Sequence, residues 1–184
     1  MSRRRWFAIA AIGRDRPGIV ADLSECAYAC GCNLEDASMT MLGSEFATLM
    51  LLSSAAEESH ELLADAFRRL EWERRLTVFV RPLEGAPEAV VAPDAVAYRL
   101  VAEGVDKAGI VARISRCLAD RTIHIADLRS RSTPVPETGT PVYTLTLRMN
   151  MPADSFAELA SLQRELAAIA DELRIDVSIE ALQD

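Results

Sequence analysis

The residues best suited to chemistry are Gly13-Arg14-Asp15-Arg16-Pro17-Gly18-Ile19-Val20, between the apolar run Trp6–Ile12 and a helical pattern that opens at Ile19. Pro17 fits the opening turn of a helix because its missing N–H would have no intrahelical partner, and Asp15 can cap the free N–H groups behind it. Gly18 removes a side chain where the backbone would be approached. A helix N-terminus with exposed N–H groups is a natural seat for a carboxylate. Asn33 opens the next strand and is expected beside this turn, offering a donor and an acceptor in one side chain. An α-amino acid needs acceptors for its ammonium and donors for its carboxylate, and the turn plus Asn33 supply both. Without a ligand, the same eight residues read as a capped helix packed on a neighbouring backbone.

Catalytic machinery is not evident. The chain has no G-x-S-x-G elbow, Walker A loop, H-E-x-x-H or dinucleotide fingerprint. His60 lies among Glu57, Glu58 and Glu61, where a solvated surface role is expected, and His124 is a whole module away. Cys26, Cys30 and Cys32 form C-x₃-C-x-C with no histidine nearby, and Cys117 stands apart. That spacing fits neither a zinc site nor a disulfide framework, so buried thiols in a reducing cytoplasm are expected. No catalytic residue, cofactor or metal is assigned.

The turn recurs. Gly13 to Asp36 aligns without a gap on Gly104 to Asp127, a constant offset of 91, with Asp15/Asp106, Gly18/Gly109, Ile19/Ile110 and Cys26/Cys117 among the identical pairs. Between the copies, residues 82–94 hold three prolines, a glycine and three acids and read as a linker. The domain reading is a module over 1–82, a linker over 83–95 and a second module over 96–184.

Each module repeats one order of patterns. Trp6–Ile12 and Ala97–Glu103 read as first strands; Ile19, Leu23, Cys26, Ala27 and Cys30 recur at helical steps, as do Ile110, Ile114, Cys117 and Leu118. Two strands follow, joined at Gly43-Ser44 in the first copy and by a longer proline-rich loop in the second, then another helix and a closing strand. The order βαββαβ, twice, predicts an α+β chain of two tandem ferredoxin-like modules, each an antiparallel sheet with both helices on one face. The open faces should differ. In the first copy Trp6, Ala8, Ala10 and Ile12 make it apolar, so a cover is expected, from the linker, the other module, a second copy of the chain or another docked protein, and homodimerisation is predicted from it. In the second copy Arg99, Glu103, Thr144, Arg148 and Glu180 make it polar.

With 184 residues, half of them hydrophobic and a quarter charged, the composition is that of a globular protein. A net charge of −8 disfavours direct grip on nucleic acid or an anionic membrane, because neutralising phosphates needs a basic surface. Arg3–Arg5 before Trp6–Ile12 imitates a signal peptide, but Gly13-Arg14-Asp15-Arg16-Pro17 follows where a cleavage site should be. The segment reads as a buried strand.

The D-R-P-G-I-V turn within this repeat resembles that of ACT domains, small-molecule regulatory modules that often sense amino acids. More closely, Asp15–Val20, Gly31–Asp36, Met41–Phe46 and Met50–Ser53 resemble the glycine cleavage system transcriptional repressor family. The resemblance implies a cytoplasmic regulator that binds a transcriptional activator protein rather than DNA, with glycine as its signal. It carries ligand contacts onto Asp15, Arg16, Pro17, Gly18, Ile19 and Asn33. A second site is implied at Asp106, Lys107, Gly109, Ile110 and His124, where Ala108 replaces Pro17 and His124 replaces Asn33, which weakens the match. Glycine has five non-hydrogen atoms, and a ceiling of ~1.5 kcal/mol per atom limits the dissociation constant to a few micromolar at best. The competing reading is a structural adaptor that holds a partner constitutively. An enzyme fragment fits less well, because the two modules fill Trp6 to Leu182 and leave no room for a catalytic domain between them.

Overall fold

A computed structural model of the chain describes residues 4–56, 58–88, 94–105, 109–136, 138–152 and 156–182. The chain divides into two compact units, residues 1–88 and 89–184. In the first, β1 (Arg5–Arg14), α1 (Ile19–Ala29), β2 (Asn33–Leu42), β3 (Glu45–Ser54), α2 (Ser59–Arg74) and β4 (Thr77–Leu83) follow in order. The second repeats this with β5 (Ala95–Val105), α3 (Ile110–Ala119), β6 (His124–Pro134), β7 (Pro141–Pro152), α4 (Phe156–Leu173) and β8 (Ile175–Ala181). The sheets are ordered β2-β3-β1-β4 and β6-β7-β5-β8, with all pairings antiparallel. Each unit is therefore the ferredoxin-like module that the sequence patterns imply.

Period-two alternation places the core. Phe7, Ile9 and Ala11 of β1 are buried with Phe46, Met50 and Leu52 of β3, and α1 and α2 close over them with Ile19, Leu23, Leu63 and Phe67. Leu62, beside the buried Leu63 in α2, is half exposed. The second core is built in the same way from Leu100, Ala102, Leu145, Leu147 and Met149 under Ile114, Leu118, Leu162 and Leu166. Fully burying a Leu or Phe side chain stabilises by ~1.5–3 kcal/mol, so these two clusters outweigh any single surface pair.

Several strands run beyond the expected limits. β4 continues through Pro82 and Leu83, opposite Phe7 and Trp6, two residues that the composition assigns to the linker. Proline is tolerated there because β4 is an edge strand. The repeat also extends to backbone irregularities. β2 bulges between Leu34 and Asp36, and β6 between Ile125 and Asp127, at the same offset of 91. Gly31 and Thr122, again 91 apart, both take positive φ (70° and 55°) just after α1 and α3.

Gly13 and Gly104 are explained by crowding. A Cβ on Gly13 would lie 2.7 Å from Leu76 Cδ2, and one on Gly104 would lie 2.5 Å from Ile175 Cγ2 and 3.2 Å from Ile175 Cα. These glycines let the end of the first strand pass the start of the last strand in each module.

The outward faces differ as the residue types imply. In the first module Ala10 is flanked by Leu49 and Phe79, which are 58% and 63% exposed, with Ile12 exposed nearby. In the second, Arg99 Nη1 donates to Glu180 Oε1 (2.9 Å) and Thr144 Oγ1 to Glu103 Oε1 (3.1 Å) across the strands. No helix among the described residues is long and apolar enough to cross a membrane.

Candidate functional site

The turn of the first module follows Arg14, the last residue of β1. The Asp15 N–H donates to the Ser44 carbonyl at 2.9 Å, which ties the turn to the β2–β3 hairpin. Gly18 is the N-cap of α1 with φ 88° and ψ −2°, and Gly109 is the N-cap of α3 with φ 98° and ψ −7°. A Cβ on Gly18 would meet nothing closer than Arg16 Nη1 at 4.0 Å, and on Gly109 nothing within 4 Å. The repeated glycine is therefore required by the left-handed backbone, with no crowding from the chain's own atoms. That requirement is one the residue types alone do not reveal.

Two details of the turn differ from expectation. Pro17 precedes the N-cap and does not occupy the first helical position. Asp15 does not cap α1, which has no side-chain cap hydrogen bond. The N-terminus of α1 thus keeps N–H groups for an external acceptor. Asp15, Pro17 and Gly18 are exposed and Arg16 is half-buried, whereas the Ile19 side chain is buried in the core. Only the backbone of Ile19 is open to a ligand.

Asn33 is exposed, but it is not beside the turn of its own module. It pairs with Ser53, and Ser53 pairs with Trp6, eight residues before Arg14. At ~3.3 Å per residue the two parts lie roughly 26 Å apart along the sheet. The cause is topological. β1 and β2 are both antiparallel to β3, hence parallel to each other, so β2 begins at the end of the sheet where β1 begins.

Around Asn33 the structure brings in residues that spacing could not reveal. Glu35 occupies the β2 bulge, and its Oε1 accepts the Ser53 hydroxyl at 2.5 Å and approaches Arg4 Nη2 at 3.2 Å. A carboxylate thus stands two residues from Asn33. The turn has a hidden partner too. Arg16 Nη2 donates to Asp22 Oδ2 at 2.5 Å, and Arg74 at the end of α2 approaches the same oxygen with Nε at 3.2 Å. The Arg16 hydrogen bond holds the Asp22 carboxyl below its ordinary value against the opposing effect of burial, and the Arg74 charge adds to the lowering. Asp22 is three residues past Ile19 and visible in the sequence, but its link to Arg74 spans 52 residues and needs the fold.

In the second module Gly109 and Ile110 repeat the turn, while Asp106, Lys107 and Ala108 lie outside the described residues. His124 is exposed at the start of β6, opposite Asn150. It occupies the place of Asn33, but Ala126 fills the bulge where the first module has Glu35.

The remaining chemistry-bearing groups take structural roles. His60 is exposed as expected, and its ring also stacks over Phe7 with centroids 6.1 Å apart. All four cysteines are free, with Cys32 and Cys117 buried and Cys26 and Cys30 half-buried. Burial pushes the thiols of Cys26 and Cys117 up to about 11. Neither is a thiolate at neutral pH. Among the described residues no group of three or more His, Cys, Asp or Glu could hold a metal ion.

Residues 6–80 match the family model of the ACT domain. The chain is 28% identical over 179 residues to the glycine cleavage system transcriptional repressor of Escherichia coli K12, covering 97% of this chain and 91% of that protein. The repressor of Shigella flexneri matches to the same extent. A solved structure of an unknown protein from Galdieria sulphuraria superposes with a TM-score of 0.76 at 27% identity, over 98% of this chain and 100% of that one. The crystal structure of a putative glycine cleavage system transcriptional repressor gives a TM-score of 0.73 at 22% identity, over 98% of this chain and 99% of that one, and supports the fold. The first module thus matches the ACT domain, the second repeats its order of strands and helices, and the chain resembles the glycine cleavage system transcriptional repressors along nearly its whole length.

Proposed function

We propose that this protein is an amino-acid-responsive regulator and not an enzyme, that its ligand is glycine, and that it acts by contact with a transcriptional activator protein. The observation that carries this reading is the end-to-end similarity to a transcriptional repressor of the glycine cleavage system. The turn and Asn33 supply the chemistry. The N–H groups at the start of α1 and the Arg16 guanidinium suit a carboxylate, while the Asn33 amide oxygen and Glu35 suit an ammonium.

Because these two halves lie at opposite ends of one sheet, a ligand that uses both takes the turn from one copy of the chain and Asn33 from another. That arrangement makes the protein a homodimer and gives glycine a means of control. Occupancy favours the subunit arrangement that completes the site, and a ligand without such a preference would switch nothing. The acidic net charge accords with a protein partner in place of DNA.

Titration calorimetry of the folded protein against a panel of amino acids tests the reading. Glycine should bind with a dissociation constant no tighter than a few micromolar. Replacing Asn33 with Ala should weaken it. A folded protein that binds no amino acid at millimolar concentration, while still holding its protein partner, would instead be a constitutive adaptor.

A further inference from the structure

Asp22 is the centre of a cluster of three charged groups directly behind the turn. Arg16 donates to its Oδ2 at 2.5 Å, Arg74 Nε stands 3.2 Å from the same oxygen, and Arg74 Nη2 donates to Oδ1 at 3.4 Å. The Asp22 side chain is only 19% exposed, whereas those of Arg16 and Arg74 are 34% and 45% exposed. The carboxylate is thus fixed on the helix, and the two guanidinium groups reach it from the solvent side.

We propose that Asp22 competes with the ligand carboxylate for Arg16, and that Arg74 retains Asp22 when Arg16 turns to the ligand. This rests on the amino-acid reading of the turn. The physical basis is exchange. A ligand carboxylate that takes Arg16 replaces one charge-assisted hydrogen bond with another, so affinity follows the difference between the two and not the strength of the new one. A half-buried aspartate left without any partner would make that exchange unfavourable. Arg74 removes this obstacle, because it already touches both oxygens of Asp22. Asp22 and Arg74 are therefore positioning residues that set the ligand threshold without touching the ligand.

The second module lacks the device. Its residue in the Asp22 position is Arg113, which donates to Glu172 of α4 at 3.0 and 2.6 Å, and the first turn of α3 carries no acid. The tie between the two helices is kept with its charges reversed. An arginine at this position cannot accept from a cationic turn residue, so competition of this kind belongs to the first module alone.

The experiment is glycine titration calorimetry on the full chain with Asp22→Asn, Arg74→Gln and the control Arg113→Gln. Asp22→Asn should bind glycine about fivefold tighter, because Arg16 is released from its internal acceptor. Arg74→Gln should bind about fivefold more weakly, because Asp22 then depends on Arg16 alone. Arg113→Gln should leave the titration unchanged. A purely structural cluster would shift both first-module variants in the same direction or neither, and that result overturns the competition while leaving amino-acid sensing intact. Absence of binding by the wild type and Asp22→Asn alike overturns the sensing itself. If Asp22→Asn fails to fold, as judged by circular dichroism, Asp22→Ser is titrated in its place, and the same tightening opposite to Arg74→Gln is expected of it.

Discussion

The two modules share one fold and differ in much of what its surface presents. Both have a left-handed glycine before the first helix, a crowded glycine at the end of the first strand and a bulge two residues into the second strand. On that common frame the first module carries an apolar outer sheet face, an aspartate in the first turn of α1 and a carboxylate in the bulge. The second carries a charged and hydroxyl-rich face, an arginine and an alanine at the corresponding positions. The repeat thus keeps what main-chain sterics require and varies the side chains on the surface.

The largest effect should come from the shared sterics. Gly104→Ala brings a Cβ within 2.5 Å of Ile175 Cγ2 and 3.2 Å of its Cα, and should destabilise the second module by about 2–3 kcal/mol. Gly13→Ala meets the end of a flexible side chain, Leu76 Cδ2 at 2.7 Å, and should destabilise the first module by about 1–2 kcal/mol. Urea denaturation followed for each module checks the order. Equal losses would show that Leu76 yields no more readily than Ile175.

A somewhat smaller effect separates the outer faces. If the apolar face joins two copies, Phe79→Asp should raise the dimer dissociation constant by about thirtyfold, as for a central interface residue. Thr146→Asp on the polar face of the second module should leave the mass unchanged. Light scattering across a dilution series measures both. A chain that is monomeric before substitution would remove homodimerisation from the proposed function.

The smallest effect concerns acid. The folded-state pKa of Asp22 lies below its ordinary 3.8, so its stabilisation is complete above that value and is lost as pH falls through the lowered one. Glu165 is held below its ordinary 4.5, chiefly by its hydrogen bond to Arg121, and follows the same sign in the second module. Both losses therefore fall on the acid side of about pH 4 to 5. Stability measured from pH 6 downward should decline less steeply in Asp22→Asn for the first module and in Glu165→Gln for the second. If neither slope changes, these pairs contribute nothing measurable to acid stability.

The fold was legible because the determining signals are local and occur twice. Alternation in Tyr143–Asn150, the helical spacing of Ile19, Leu23 and Ala27, and the turn at Gly43-Ser44 each specify an element without reference to distant residues. The extension of β4 through Pro82 was not legible, since only its position at a sheet edge makes proline acceptable there. For the candidate site, the turn stood out but the reason for Gly18 did not, because a left-handed φ and a close approach leave the same glycine in a sequence. The distance between Asn33 and the turn follows from strand direction, which no residue type records. Glu35 and Arg74 enter through a bulge and through a link between helices 52 residues apart in the chain. Contacts of that kind exist only once the sheet has formed.

The exposed edge of the first sheet has a consequence for the protein's life in a crowded solution. All ten residues of β2 are exposed, and Leu34, Met39, Met41 and Leu42 among them are apolar, the description of a strand on which fibrils could grow. The bulge at Leu34/Asp36 interrupts this edge and sets Glu35 and Asp36 side by side in it. A passing strand then finds only Asp36–Leu42 in straight register, seven residues or roughly 23 Å. The irregularity that places a carboxylate near Asn33 thereby also acts as a gatekeeper against aggregation.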